Sequence, residues 1–256
     1  MNKPAVQLQE VSFHYESDKG KIPILQDFNF QINEGEFVTI IGPSGSGKST
    51  LFKLITGLAQ PNEGDIFLRN QLQAKRLGHV GYMPQQDLLL PWRTIIENAA
   101  LPLEIKGMRK QDAYQQIQLL LQEFGLTGVE NCYPHELSGG MRQRVSFLRT
   151  ILSGASILLL DEPFSALDAI TKISMQEWLL AQWQKRSETI LFITHDVNEA
   201  LFLSDRIFIF IDKPTSYLEE VNVPLSRPRV LKDLDEPLLL ERKNYLINLL
   251  KARVSS

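Results

Sequence analysis

Phe37-Val38-Thr39-Ile40-Ile41-Gly42-Pro43-Ser44-Gly45-Ser46-Gly47-Lys48-Ser49-Thr50 decides the fold. The first five residues are a β-branched and aromatic run of the kind that forms a fully buried strand. They run into a glycine-rich turn that matches GxxxxGK[ST] in full. Beyond it, Leu51, Leu54, Ile55 and Leu58 recur at three- and four-residue spacings, which predicts a helix. Strand, glycine loop and helix, in that order, form the setting in which this pattern wraps a phosphate. Gly42, Gly45 and Gly47 let backbone N–H groups curl around a β-phosphate with no Cβ in the way. The helix start turns its positive end toward the same anion. Lys48 is expected to neutralise the β- and γ-phosphates, and Ser49 to offer Mg²⁺ a hydroxyl. Pro43, Ser44, Ser46 and Thr50 complete the loop. Alone, it specifies a nucleoside triphosphate and nothing about its use.

A second site is written into Ile157-Leu158-Leu159-Leu160-Asp161-Glu162-Pro163. An apolar strand delivers its last residues to the carboxyl edge of the sheet, where ligands bind in open α/β folds. Asp161 at the strand end can hold Mg²⁺, directly or through water. Glu162, one residue on, points elsewhere and can polarise an attacking water.

The rest of the chain follows the same alternation. Val6, Leu8, Val11 and Phe13 predict an early strand, and Leu25, Phe28, Phe30 and Ile32 a second over 24–32. Glu34-Gly35-Glu36 reads as a hairpin-like turn. Residues 60–84 read as short strands and turns. From about 94 to 153 the pattern is helical, broken into pieces by Pro102, Gly107, Gly125, Gly128 and Pro134, and reads as a helical lobe inserted in the core. Helices are predicted over 173–184, 198–203 and 238–254, and buried strands over 189–194 and 206–212. Strands alternating with helices predict a largely parallel sheet.

Composition sets outer bounds. The 256 residues are 43% hydrophobic and 22% charged, as in ordinary globular proteins, with a net charge of −3 that supplies no overall basic field for nucleic acid or anionic lipid. The lone cysteine, Cys132, is expected to be a partly buried filler. His14, His79, His135 and His195 are scattered, without metal-ligand spacing. The first residues lack the apolar core of a signal peptide. The longest apolar runs are strand-sized, far short of the roughly 18–20 residues a spanning helix needs. Any link to a membrane is therefore expected to go through a partner.

Leu137-Ser138-Gly139-Gly140-Met141-Arg142-Gln143-Arg144 makes the class specific. Physically it is a second glycine-rich helix start, with Ser138 as the N-cap. It resembles the signature motif of the ATP-binding cassette family, and the remaining family motifs follow in order. Gln85 in Tyr82-Met83-Pro84-Gln85-Gln86-Asp87 resembles the glutamine that senses Mg²⁺ and the attacking water; Gln86 is the one-residue alternative. Ser165-Ala166-Leu167-Asp168 resembles the loop that reaches across a cassette dimer. His195 in Phe192-Ile193-Thr194-His195-Asp196 resembles the switch histidine at the γ-phosphate. Tyr15 matches the aromatic that stacks on adenine, with Phe13 and His14 beside it.

The resemblance covers about 6–230. It implies an α/β fold: a phosphate-loop NTPase core with a mostly parallel sheet, an antiparallel β subdomain and an inserted helical subdomain. The cassette would span 1–230, with the helical part at about 94–153 and a short helical tail at 231–256 in place of a regulatory domain. It further implies an active ATP hydrolase using ATP and Mg²⁺. Two cassettes, the second a copy or a homologue, would pack head to tail, so that Ser138, Gly139 and Gly140 of one and the phosphate loop of the other clasp one nucleotide.

Three roles fit such an ATPase. Asp87–Asn98 resembles the region of importer cassettes that docks a coupling helix of a separate permease, with Trp92 and the apolar run as the groove floor. Leu89-Leu90-Pro91-Trp92 and Val223-Pro224-Leu225-Ser226-Arg227-Pro228-Arg229 resemble the nitrate, sulfonate and taurine importer subfamily, which also includes cassettes for thiamine-pyrimidine precursors. This implies import of a small polar or anionic solute, at the cytoplasmic face of the cell membrane, with an extracytoplasmic solute-binding protein. The other two roles are a DNA-repair or chromosome ATPase and a ribosome-associated cassette. The first would need coiled coils or zinc modules in the ninety residues between Lys48 and Ser138, and the second a paired cassette and charged linker. The sequence has none of these, and no nucleic-acid partner is expected.

Overall fold

The computed structural model describes residues 3–18, 20–186 and 188–254, apart from the side chains of 186 and 252–254. The strands are β1 (Pro4–Ser17), β2 (Gly20–Asn33), β3 (Phe37–Ile41), β4 (Glu63–Leu68), β5 (Gln71–Leu72), β6 (Gly81–Met83), β7 (Ile157–Asp161), β8 (Thr189–Ile193), β9 (Arg206–Ile209) and β10 (Glu219–Asn222). The helices are α1 (Lys48–Thr56), α2 (Ile95–Ile105), α3 (Lys110–Glu123), α4 (Gly139–Leu152), α5 (Ala169–Arg186), α6 (Val197–Leu203) and α7 (Pro237–Val254).

The strands form two sheets. One is antiparallel, in the order β2-β1-β4-β5; the other runs β10-β9-β3-β8-β7-β6. In the second, β9, β3, β8, β7 and β6 are mutually parallel and only β10 is antiparallel. Glu34–Glu36 therefore makes no hairpin, contrary to the sequence expectation. It carries the chain from the first sheet to the second, because β3 is buried on both faces and pairs with β8 and β9 instead of β2.

The apolar runs of the central strands conceal a strict two-residue alternation. Leu158, Leu160, Ile190 and Phe192 pack with α2–α5 on one face. Ile157, Leu159, Leu191 and Ile193 pack on the other, with α1 and the antiparallel sheet. A third cluster joins β9, β10 and α6 to Leu239 and Leu246 of α7.

Two local departures have clear causes. The apolar spacing in β1 slips between Leu8 and Val11, and the register with β2 shifts there; Glu10 takes a φ of 51°. This is a β-bulge, which absorbs the extra residue and keeps Val11 and Phe13 facing inward. Pro102 does not break the helical region but lies inside α2, three residues from its end. Cys132 is part-buried against the helical core, as its type implied.

Candidate nucleotide site

The parity of β7 separates its two acids. Asp161 continues the Ile157–Leu159 face, toward α1, and is buried; its carboxylate bonds the Ser49 hydroxyl. Burial pushes its pKa up, and the Glu162 charge adds to this, while the Ser49 bond and Lys48 oppose it. Glu162 lies beyond the strand with a φ of 50°, which turns its side chain off the sheet edge. A non-glycine residue adopts this left-handed conformation only at a cost of roughly 1 kcal/mol or more. The backbone is held there by Glu162 N–H donating to the Ile193 carbonyl at 2.9 Å.

Around Glu162, Gln85 Nε2 donates to Oε2 at 3.0 Å, and His195 Nδ1 lies 3.5 Å from the same oxygen. The structure thus brings Gln85, and not Gln86, onto Glu162. Residues drawn from the ends of β6, β7 and β8 meet at one edge of the sheet, 77 residues apart in the case of Gln85 and Glu162.

The phosphate loop runs from the end of β3 to α1. Gly47 caps α1 with a φ of 112°, and a Cβ there would lie 2.8 Å from Ile24 Cγ2, so both conformation and space require glycine. Lys48 Nζ donates to the carbonyls of Gly42 and Pro43, each at 2.8 Å. Burial pulls its pKa down, against the pull of Glu162 and Asp161. The Ser46 hydroxyl is buried without a protein partner, which fits a loop built to receive phosphate oxygens. Pro43, Ser44 and Gly45 form the turn between them, and Thr50 is buried in α1.

A cavity of about 360 Å³ opens beside this loop, lined by Tyr15, Ile22, Gly47, Lys48, Ser49 and Lys213. Tyr15 is held by an edge-on contact with Phe13 and by a 3.2 Å hydrogen bond between its hydroxyl and that of Thr50. Sequence reading missed Lys213 and Ile22, which carry no motif and reach the loop only through the fold.

Ser138 and Gly140 lie elsewhere. Ser138 caps α4, its Oγ accepting from Met141 N–H at 3.3 Å. Gly140 lets that helix approach the Ser165–Asp168 loop: a Cβ would lie 3.1 Å from the Ala166 carbonyl oxygen. Around Gly139 there is open space save for Arg142. Asp168 caps α5 through Thr171 N–H at 3.0 Å. The cavity beside Lys48 is lined by none of Ser138, Gly139, Gly140 or Asp168.

The Asp87–Asn98 stretch divides. Leu89 is buried in the helical core, whereas Leu88 and Trp92 are exposed, Trp92 at 71%, so Trp92 belongs to the surface and not to the core. Buried Asn98 staples this segment through the carbonyls of Leu90, Arg93 and Thr94. Arg142 and Arg149 of α4 bind Asp87 and the carbonyls of Asp87 and Leu88. Arg227 and Arg229 are structural: Arg227 bridges Asp205 and the Leu203 carbonyl over the Trp183 ring, and Arg229 ties down the carbonyls of Leu201, Ser204 and Leu225.

Ser49 and Asp161 are hard oxygen donors on adjoining elements, a set suited to Mg²⁺. Among the described residues no group of three or more His, Cys, Asp or Glu is placed to hold a metal, and no helix is long and apolar enough to cross a membrane.

Fold and site together define an ATP-binding cassette. The sequence profile of the family described as ABC transporter matches residues 25–165, and the chain belongs to that family. It is 50% identical over 224 residues to the formylaminopyrimidine import ATP-binding protein ThiZ of Halalkalibacterium halodurans, covering 88% of this chain and 86% of that protein. It is 42% identical over 224 residues to the aliphatic sulfonates import ATP-binding protein SsuB of Bacillus thuringiensis, covering 88% of each. Among solved structures it resembles a dimeric ATP-binding cassette in a post-hydrolysis state bound to ADP and phosphate, with a TM-score of 0.79, 31% identity, and coverage of 86% of this chain and all of that one.

Proposed function

We propose that this chain is the ATP-hydrolysing subunit of an importer, working at the cytoplasmic face of a membrane through a separate permease, for a small polar or anionic solute delivered by an extracytoplasmic binding protein. The observation that carries the ATPase reading is the convergence of Gln85, Glu162 and His195 at the sheet edge that also holds Asp161, Ser49 and Lys48. Kinship with ThiZ and SsuB, whose names specify import, supports the direction of transport and the class of solute. The division into a cassette at 1–230 and a tail at 231–256 belongs to the same reading.

In this reading adenine rests on Tyr15 and the phosphates lie in the Gly42–Thr50 loop, where Lys48 and the Ser46 hydroxyl meet them. Ser49, Gln85 and Asp161 would hold Mg²⁺, which would screen the phosphate oxygens. Glu162 is the general base. Its Oε2 is engaged by Gln85 and His195, and Oε1 is the oxygen assigned to the proton of the attacking water. Ser138, Gly139 and Gly140 of a second chain complete the site, and Asp168 lies at that dimer contact. The Arg142 and Arg149 contacts with Asp87 and Leu88 tie the permease-facing loop to the signature helix, giving closure a mechanical route to the membrane partner.

Two measurements test this. Lys48→Ala should abolish ATP affinity while the chain stays folded; unchanged affinity sinks the loop assignment. Affinity capture of the tagged chain from its native membranes should bring down a multi-span permease. Capture of ribosomal or repair proteins instead would leave the ATPase chemistry standing and overturn the transport assignment.

A further inference from the structure

Behind His195 lies a charged network that the reaction as described does not use. Glu199 of α6 is 5% exposed, one of two buried carboxylates among the described residues, with Asp161. One of its oxygens takes Lys172 Nζ at 2.6 Å and Gln176 Nε2 at 3.2 Å. The other accepts the Thr194 hydroxyl. Thr194 Oγ1 in turn accepts Asp196 N–H at 3.0 Å, so the residues on both sides of His195 are fixed through Glu199. Asp196 caps α6 through Asn198 and Glu199 N–H, and its second oxygen receives Lys172 Nζ at 2.8 Å.

Lys172 is the junction of this network. It is a residue of α5, and its own N–H donates to the Asp168 carbonyl at 2.8 Å, while Asp168 caps the same helix. A single side chain therefore links the start of α5, where the Ser165–Asp168 loop ends, to both flanks of His195. Burial opposes the charge on Lys172, and its bonds to Asp196 and Glu199 overcome that, so the ammonium titrates above the usual lysine range. Lys172, Thr194 and Glu199 also line a cavity of about 80 Å³ together with Glu162 and His195. The network thus stands directly behind the reacting side chains.

We propose that Lys172 is a positioning residue, which locks the His195 loop to the helix beginning at Asp168 so that a second cassette pressing on Ser165–Asp168 sets the place of His195 beside Glu162. The inference rests on the site reading given under the proposed function. The physical reason for a lysine is reach and charge together: only a cation on a long stem satisfies two carboxylates on a neighbouring helix start. A neutral residue there would leave Glu199 buried with an uncompensated charge.

The test is steady-state ATP hydrolysis by the purified full chain with Mg²⁺, compared with thermal unfolding. Lys172→Met should lower kcat about tenfold or more with KM for ATP changed less than about threefold, the signature of a lost transition-state arrangement. Lys172→Arg should recover most of kcat. Glu199→Gln, nearly isosteric, should show the same kcat loss and serves if the methionine variant does not fold. His195→Ala is the control. If it loses activity while Lys172→Met, or Glu199→Gln in its place, keeps kcat within about twofold of the unsubstituted chain, the proposal fails and the site reading stands. If His195→Ala keeps full activity, the site reading itself fails. A loss in Lys172→Met that merely follows a lowered Tm, without rescue by arginine, also overturns the proposal.

Discussion

The side chain of Gln143, in the helix that begins with the signature motif, donates to the backbone carbonyl of Glu162 at 2.9 Å. The same amide donates to Ser165 Oγ at 3.1 Å and accepts Ala166 N–H at 2.8 Å. At 4% exposure it is sealed from water. Gln143→Leu removes the acceptor of Ala166 N–H and one donor to the Glu162 carbonyl, which the Ser165 hydroxyl still engages, so the variant should be about 1–2 kcal/mol less stable by denaturant titration. It should also lower ATPase activity, because one of the ties that orient Glu162 is lost while those from Ser165 remain. Full activity would show that Glu162 holds its place without α4.

Glu162→Gln keeps the size of the side chain and removes the base. ATP binding should persist while kcat falls by about 10²–10⁴-fold. The chain should then accumulate as a nucleotide-bound dimer, seen by light scattering. Hydrolysis at the unsubstituted rate would remove Glu162 from the mechanism.

Asp161 places function against stability. Its pKa is raised in the fold by burial above all, so the folded chain holds this proton more tightly than the unfolded chain does. Stability therefore falls as pH climbs from the ordinary aspartate range through the raised value, and the full cost is present above it. Asp161→Asn should raise Tm at neutral pH by about 2–4 °C, the shift that about 1 kcal/mol gives in a chain of this size. The gain should shrink on acidification. Mg²⁺-dependent hydrolysis should be lost at every pH.

Arg229 is the firmest tie of the segment after β10. Burial, aided by the charge of Arg227, pushes its guanidinium down to about 10. Arg229→Met would orphan the carbonyls it now satisfies and should cost about 2 kcal/mol or more in chemical unfolding. ATP affinity should stay unchanged, since Arg229 is remote from the loop at Lys48.

The residues that meet at the sheet edge are easier to read from the sequence than what each strand faces. Lys48, Ser49, Asp161, Glu162 and His195 were legible because each stands at the end of an apolar strand or in a glycine loop, and chemistry concentrates there. What each strand faces was not legible. Ile157–Leu160 is apolar throughout, so nothing in the run says that Asp161 will turn toward α1. Glu34–Glu36 looked like a hairpin because local turn chemistry is silent on whether the next strand stays in the same sheet. Leu89 and Trp92 are both apolar in the sequence, yet one is buried and the other exposed, because an apolar residue gives no sign of whether it faces inward or outward. Gln143 and Lys172 are hard to read for another reason: their importance lies in partners 19 to 27 residues away, and an isolated glutamine or lysine on a helix looks like solvated surface.

The left-handed backbone at Glu162 has an evolutionary corollary. Folding alone would favour glycine or asparagine at that position, which tolerate the conformation without strain. Glutamate persists there only while something other than folding selects it. A descendant of this chain relieved of the need to turn over its nucleotide should therefore lose position 162 early, and the replacement should be a small or left-handed-tolerant residue. The identity of one residue thus serves as a genetic record of whether a lineage still burns ATP.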